Sequence, residues 1–218
     1  MLANQMLMTK KQLLRFNVKL LVSWIILSVL CFYWGKPLVN SMLPYLTTIN
    51  DMIAPSYSSS LKIIDSDGGG LLQLTAYVVK KIYLASNNII FPGSKMTATI
   101  DVIHILVPMT ILFSLLLAWP LNNWKAKLLV LFSGIPVTFA ILGMTAPVLL
   151  AGKLDVMLLE RAAASGVKNP EPFTVTWMIF TESGGDWLLP IAAAIICIYA
   201  VKRLEFMFRI FQISHATN

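Results

Sequence analysis

The side chains that could do covalent chemistry are few. The chain of 218 residues holds two cysteines and two histidines. Cys31, His104 and Arg161 form the sharpest combination. An imidazole can activate a thiol and a guanidinium can hold an oxyanion, which together make a thiol acyltransferase using Cys31 and His104. Against it, Cys31 lies among Leu30 and Phe32 with no nucleophile loop around it. Cys31 and Cys197 read better as small buried hydrophobes, and their spacing matches no metal-ligand pattern. Gly68, Gly69 and Gly70 lack the Gly-Lys-Ser/Thr ending of a phosphate loop. The expectation is a chain that is not an enzyme, with no catalytic residue, no metal and no cofactor. Two groups of polar residues remain as candidates for interaction. One is the run Glu182, Ser183, Gly184, Gly185, Asp186 and Trp187. The other comprises His104, Asp101, Asp65 and Asp67 on the outer segments.

The elements that must position these groups are set by solvent. The chain is 57% hydrophobic and only 12% charged, and its mean hydropathy is +0.76. Soluble domains carry about 25% charged residues, so the composition excludes a soluble enzyme, a disordered chain and a disulfide scaffold. Four charge-free intervals stand out: Leu20–Gly35, Val102–Trp124, Leu128–Gly152 and Trp187–Val201. A crossing takes about 17–25 mostly apolar residues, and flanking lysines extend the shorter intervals by snorkelling. The predicted fold class is therefore a membrane α-helical protein of four transmembrane helices, with a small β-rich outer segment between helices 1 and 2. The bulky Cys31, Phe32, Tyr33 and Trp34 at the end of the first interval argue for an uncleaved anchor rather than a signal peptide.

Charge then orients the chain. Lys10, Lys11, Arg15 and Lys19 precede the first interval, Lys125 and Lys127 separate the second from the third, and Lys202, Arg203 and Arg209 follow the fourth. These basic segments fall on one side of a four-crossing chain, which places both termini in the cytoplasm. The formal charge of +7 thus sets orientation and gives no reason to expect nucleic acid. Membrane lipids are the first expected partner. The resulting organisation is a cytoplasmic N-terminus and helix 1 over 1–37, an outer β-rich segment over 38–101, helices 2 and 3 with a short loop over 102–151, a second outer segment over 152–186, and helix 4 with a basic tail over 187–218. No intramembrane charge marks a transport path.

Within the first outer segment, Leu38–Ile53 reads as an interfacial helix. Ser58–Ile64 and Leu71–Lys80 flank Asp65, Ser66, Asp67, Gly68, Gly69 and Gly70, the residue types of a tight reversal, and so read as a β-hairpin. A third strand is expected near Lys95–Ile100. In the second, residues 153–165 read as an amphipathic helix stopped by Gly166. Phe173–Phe180, rich in β-branched and aromatic residues, reads as a strand or interfacial stretch. Gly184 and Gly185 then allow a turn, and Asp186 is a candidate cap for the last helix.

The order of elements, with the run Glu182 to Pro190 and the approach Thr97 to Pro108 into helix 2, resembles the small membrane proteins encoded beside exosortase H. The resemblance implies a bacterial inner-membrane accessory protein whose outer segments are periplasmic. Its partner would be another integral membrane protein, a sorting transpeptidase or its substrate, recognised by residues 58–100 and 173–187. The chain lacks the cysteine loop and the many spans of exosortases themselves, so the resemblance implies a partner and not the enzyme. A structural subunit of a larger membrane complex, for secretion or energy transduction, is the alternative.

Overall fold

The computed structural model describes residues 10–66, 69–85, 88–121, 123–167 and 169–216. Of the described residues 73% are helical, and a small antiparallel sheet accompanies them. Helix α1 runs over Lys10–Ile53, followed by strands β1 (Tyr57–Ser66), β2 (Gly69–Val78), β3 (Ile82–Ala85), β4 (Asn88–Ile90) and β5 (Lys95–Asp101). Helices α2 (Val102–Ala118), α3 (Trp124–Ala164), α4 (Phe173–Phe180) and α5 (Asp186–Ala216) complete the order, and a π-helical turn at Thr181–Gly185 joins α4 to α5. Three helical stretches are long and apolar enough to cross a membrane: Gln12–Ile53, Trp124–Ala164 and Phe173–Leu204. The remaining expected crossing falls on α2, a shorter apolar helix of 17 residues.

Two compact units divide the chain. The first is built from the described parts of Met1–Leu30, Pro108–Phe139 and Trp187–Asn218. It is all helix. Leu112, Leu116, Val130, Ala194 and Val201 fill its interior. Gly134 lets α3 approach α2, since a Cβ there would lie 2.7 Å from a Leu116 methyl. The Trp119 ring meets Phe16 edge-on at 5.7 Å between centroids and carries the Lys202 ammonium at 5.4 Å. The outward faces stay apolar: Val18, Ile25, Phe132, Ile195 and Ile196 are all exposed.

The second unit comprises Cys31–Val107 and Ala140–Asp186. Its centre is the three-stranded antiparallel sheet β1-β2-β5. Ser66 pairs with Gly69 across the hairpin, as the Asp/Gly-rich reversal predicts. Asp67 and Gly68, at the turn itself, lie outside the described residues. Strand β2 pairs with β5 in a register that sets Leu71 opposite Asp101 and Gln73 opposite Thr99. Alternation along β5 buries Met96, Ala98 and Ile100, the period-2 signature of a sheet with one covered face. Leu72, Leu74, Leu106 and Leu150 are buried in the same unit. Strand β5 passes without a break into α2.

Four local expectations change. The interfacial helix at 38–53 is the continuation of α1, which carries Pro37 and Pro44 in its interior. Ser41, Thr47 and Thr48 donate to backbone carbonyls within this stretch, the kind of local satisfaction a proline-bearing helix uses. The amphipathic helix at 153–165 is likewise the end of α3 and not a separate element, but it stops as the sequence predicts: Gly166 takes φ 76°, and the Gly166 and Val167 N–H groups donate to the Ala163 and Ala162 carbonyls. Phe173–Phe180 is helix and not strand. Its apolar, β-branched composition suits a buried helix as well as a strand, and packing decides: Val175 is buried and the Trp177 indole donates to the Met144 carbonyl at 2.7 Å. A second hairpin, β3-β4, was not expected and pairs Ile82 with Ile90.

Candidate functional site

Four ionisable groups of the second unit, Asp101, His104, Lys153 and Glu182, converge on a cavity of about 490 Å³. Leu71, Thr99, Ile100 and Asp101 come from the sheet, His104 from the first turn of α2, Leu149 and Lys153 from α3, and Glu182 from the π turn. The volume falls in the ~300–1,000 Å³ range of small-ligand clefts.

Each polar member is held by local structure. Because β5 continues directly into α2, Asp101 and His104 are fixed on adjoining turns of one rigid segment. The Lys153 ammonium donates to the Thr99 carbonyl at 3.0 Å, which ties α3 to the sheet. Glu182 owes its place to the π turn. Gly184 there has φ 122° and ψ 0°, a backbone shape that L side chains rarely adopt. The chain kinks there between α4 and α5, and a kink turns everything that follows it.

That rotation also seats Asp186. Its carboxylate accepts from His104 Nε2 at 2.9 Å. The Asp186 side chain is 6% exposed, while the His104 side chain is 45% exposed. The buried acid therefore anchors an imidazole that opens to the cavity. The second carboxylate oxygen, Oδ1, is buried without a partner among the described residues. Asp186 does not cap α5. The chain kinks at Gly184 between α4 and α5, the Asp186 N–H donates to the Gly184 and Thr181 carbonyls, and its side chain is turned to His104 instead of to free backbone N–H groups. Glu182 and Lys153, like Asp186, act electrostatically on the His104 ring.

Of the residues singled out in the sequence, Glu182, Asp186, Asp101 and His104 are thus brought together. Ser183 is exposed, Gly185 is buried against the Phe180 ring, and Trp187 is exposed. Asp65 belongs elsewhere. It pairs with the Lys36 ammonium at 2.7 Å on an exposed edge of the same unit, and that hydrogen bond holds its carboxyl below the usual carboxylate range. Asp67 lies outside the described residues. Lys153 was missed as a site residue. Its signal was its place as the charge that ends the third apolar interval, used only to mark a boundary.

Nearby, the Thr174 hydroxyl donates to Asp155 and joins α4 to α3. Burial, with the Asp155 carboxylate adding to it, pushes the Tyr57 phenol up to about 12. The thiol acyl-transfer set does not assemble around this cavity. Cys31 is buried and is not among the lining residues, and neither is Arg161, which is exposed on α3. Among the described residues, no group of three or more His, Cys, Asp or Glu side chains is arranged to hold a metal ion. The cavity can offer hydrogen-bond donors from Lys153, acceptors from Glu182 and Asp101, and an oriented imidazole. No protein family, curated protein or solved structure matches this chain.

Proposed function

We propose that this chain crosses a bacterial inner membrane four times, with both termini cytoplasmic, and serves as a non-catalytic partner of another membrane protein. This is the role implied by the resemblance to the exosortase H-associated proteins. Apolar side chains exposed along the first unit, among them Val18, Ile25, Ile195 and Ile196, support contact with lipid, since water-facing surfaces rarely carry contiguous apolar patches of such extent. Helix α2 rises ~25 Å at 1.5 Å per residue, a little under the ~30 Å hydrocarbon core. Pro120, Leu121 and the Trp119 and Trp124 rings beyond its end complete the crossing at headgroup level.

The observation that carries the recognition reading is the cavity. Charged groups from a sheet and three helical segments meet there, and its lining includes no cysteine or serine to attack a substrate. A charged cleft with convergent polar groups of both signs supports recognition of a ligand or partner surface. Strand β1, an edge of the sheet, offers a second recognition element, because an edge strand presents unpaired backbone groups to an incoming strand. Alanine substitution of Glu182, Ser183 and Trp187, with Asp186 left in place to keep the fold, tests the reading. The expected result is reduced recovery of a cross-linked membrane partner from native membranes. Undiminished recovery would count against it.

A further inference from the structure

The cavity residues share a second property. Each charged one borders an apolar interval of the sequence: Asp101 precedes Val102–Trp124, Lys153 follows Leu128–Gly152, and Glu182 lies just before Trp187–Val201. In a chain that crosses the bilayer at those intervals, such residues stand at headgroup depth. The inference below rests on that membrane reading and goes beyond the partner role.

The charges are also mixed. The Lys153 ammonium has three donors and spends one on the Thr99 carbonyl, so two face outward. Among the described residues, the Glu182 and Asp101 carboxylates take no hydrogen-bond or ion-pair partner, although both line the cavity. His104 is fixed through Nε2 by Asp186; paired with that carboxylate as an imidazolium, it keeps the Nδ1–H as a second donor. Leu71, Ile100 and Leu149 supply apolar wall.

We infer that this cavity binds a phosphoethanolamine group, the phosphoryl oxygens on Lys153 and His104 and the primary ammonium on Glu182 and Asp101. A zwitterion satisfies both sets of charges at once, and charge-assisted hydrogen bonds are the strong ones. A phosphoglycerol group brings no cation for the two carboxylates. A phosphocholine group brings a cation that cannot donate a hydrogen bond. The apolar wall suits the glycerol end of a phospholipid, and a soluble phosphoethanolamine ester shares the same headgroup chemistry.

The test uses the full chain, reconstituted with equal parts of phosphatidylethanolamine, phosphatidylglycerol and phosphatidylcholine, with retained lipid counted by native mass spectrometry. Selective retention of phosphatidylethanolamine is expected. Glu182→Gln and Lys153→Met should each lower that selectivity about tenfold, the effect of one hydrogen bond to a charged group. Glu182 is exposed, so Glu182→Gln keeps the fold, and an unchanged unfolding midpoint verifies this. No preference among the three lipids, or a preference that both variants keep, overturns the inference. Displacement of the lipid by glycerophosphoethanolamine at equal concentration supports the same site with a soluble source, whereas selective retention without displacement assigns the lipid. A chain released from membranes by alkaline carbonate sinks the membrane reading itself. A chain that stays in membranes without lipid preference sinks this inference alone.

Discussion

His104 and Asp186 show how one pair can fix a site. Asp186 is nearly buried, and its only hydrogen-bond donor among the described side chains is His104 Nε2. Taking the imidazole away leaves a buried carboxylate with two unmet oxygens, and an unsatisfied buried group costs about 1–3 kcal/mol. The half-open position of His104 puts the expected loss for His104→Ala toward the lower end of that range. Adding Asp186→Asn removes the stranded charge and should recover part of the loss. Thermal unfolding of the two variants in detergent measures both effects. A His104→Ala variant within about 0.5 kcal/mol of the parent, the spread of ordinary surface changes, would show that the pair holds nothing in place. The Lys36–Asp65 pair is the opposite case. Both groups are exposed, and screened surface pairs of this kind add little.

Helix α4 and the π turn decide where Glu182 and Asp186 stand, and α4 is set by its fit on α3. A Cβ at Gly152 would lie 2.7 Å from the Thr174 carbonyl oxygen and 2.8 Å from Met178 Cβ. Two opposed terms act in Gly152→Ala. Helix propensity favours alanine by about 1 kcal/mol. Overpacking costs about 1–3 kcal/mol, and its obstacle here is backbone, which cannot rotate aside. The expected outcome is a net loss of about 1 kcal/mol, read by thermal unfolding. Gly134→Ala, whose nearest obstacle is a Leu116 methyl, should fall closer to neutral; the reverse order would contradict this packing of α4. The hairpin β1-β2 was legible because Asp and Gly at 65–70 dictate a reversal between two β-rich runs, and β5 because Pro92-Gly93 announces a turn before it. Residues 173–180 were not legible as helix. Val175, Thr174 and Thr176 favour strands in isolation, and tertiary packing reverses that preference: Trp177 donates to the Met144 carbonyl, Thr174 to Asp155, and α4 lies close on Gly152. The break before α5 was legible, since Gly184 and Gly185 spell a turn in sequence and Gly184 takes a non-helical φ of 122° in the fold.

Across the whole molecule, solvent is the organising variable. The apolar intervals were read from spacing of charges alone, and three long apolar helices correspond to them. Spacing could not show that Asp101, Lys153 and Glu182 meet, because each was seen only as the end of its own interval. The sheet register, the α3 hydrogen bond to Thr99 and the turn at Gly184 bring them together, and the first two depend on contacts between residues far apart in sequence. Composition could not reveal the partner, since lipid-facing surfaces carry no specific code. Thiol labelling of the full chain is the most direct test of the four-crossing arrangement. Ser60 and Lys125 are exposed in the structure while Cys31 and Cys197 are buried, so single cysteines placed at Ser60 and Lys125 report their own surroundings. In intact spheroplasts a membrane-impermeant maleimide is expected to label Ser60→Cys and to reach Lys125→Cys only after lysis; labelling of Lys125→Cys before lysis, or of Ser60→Cys only afterwards, would contradict it.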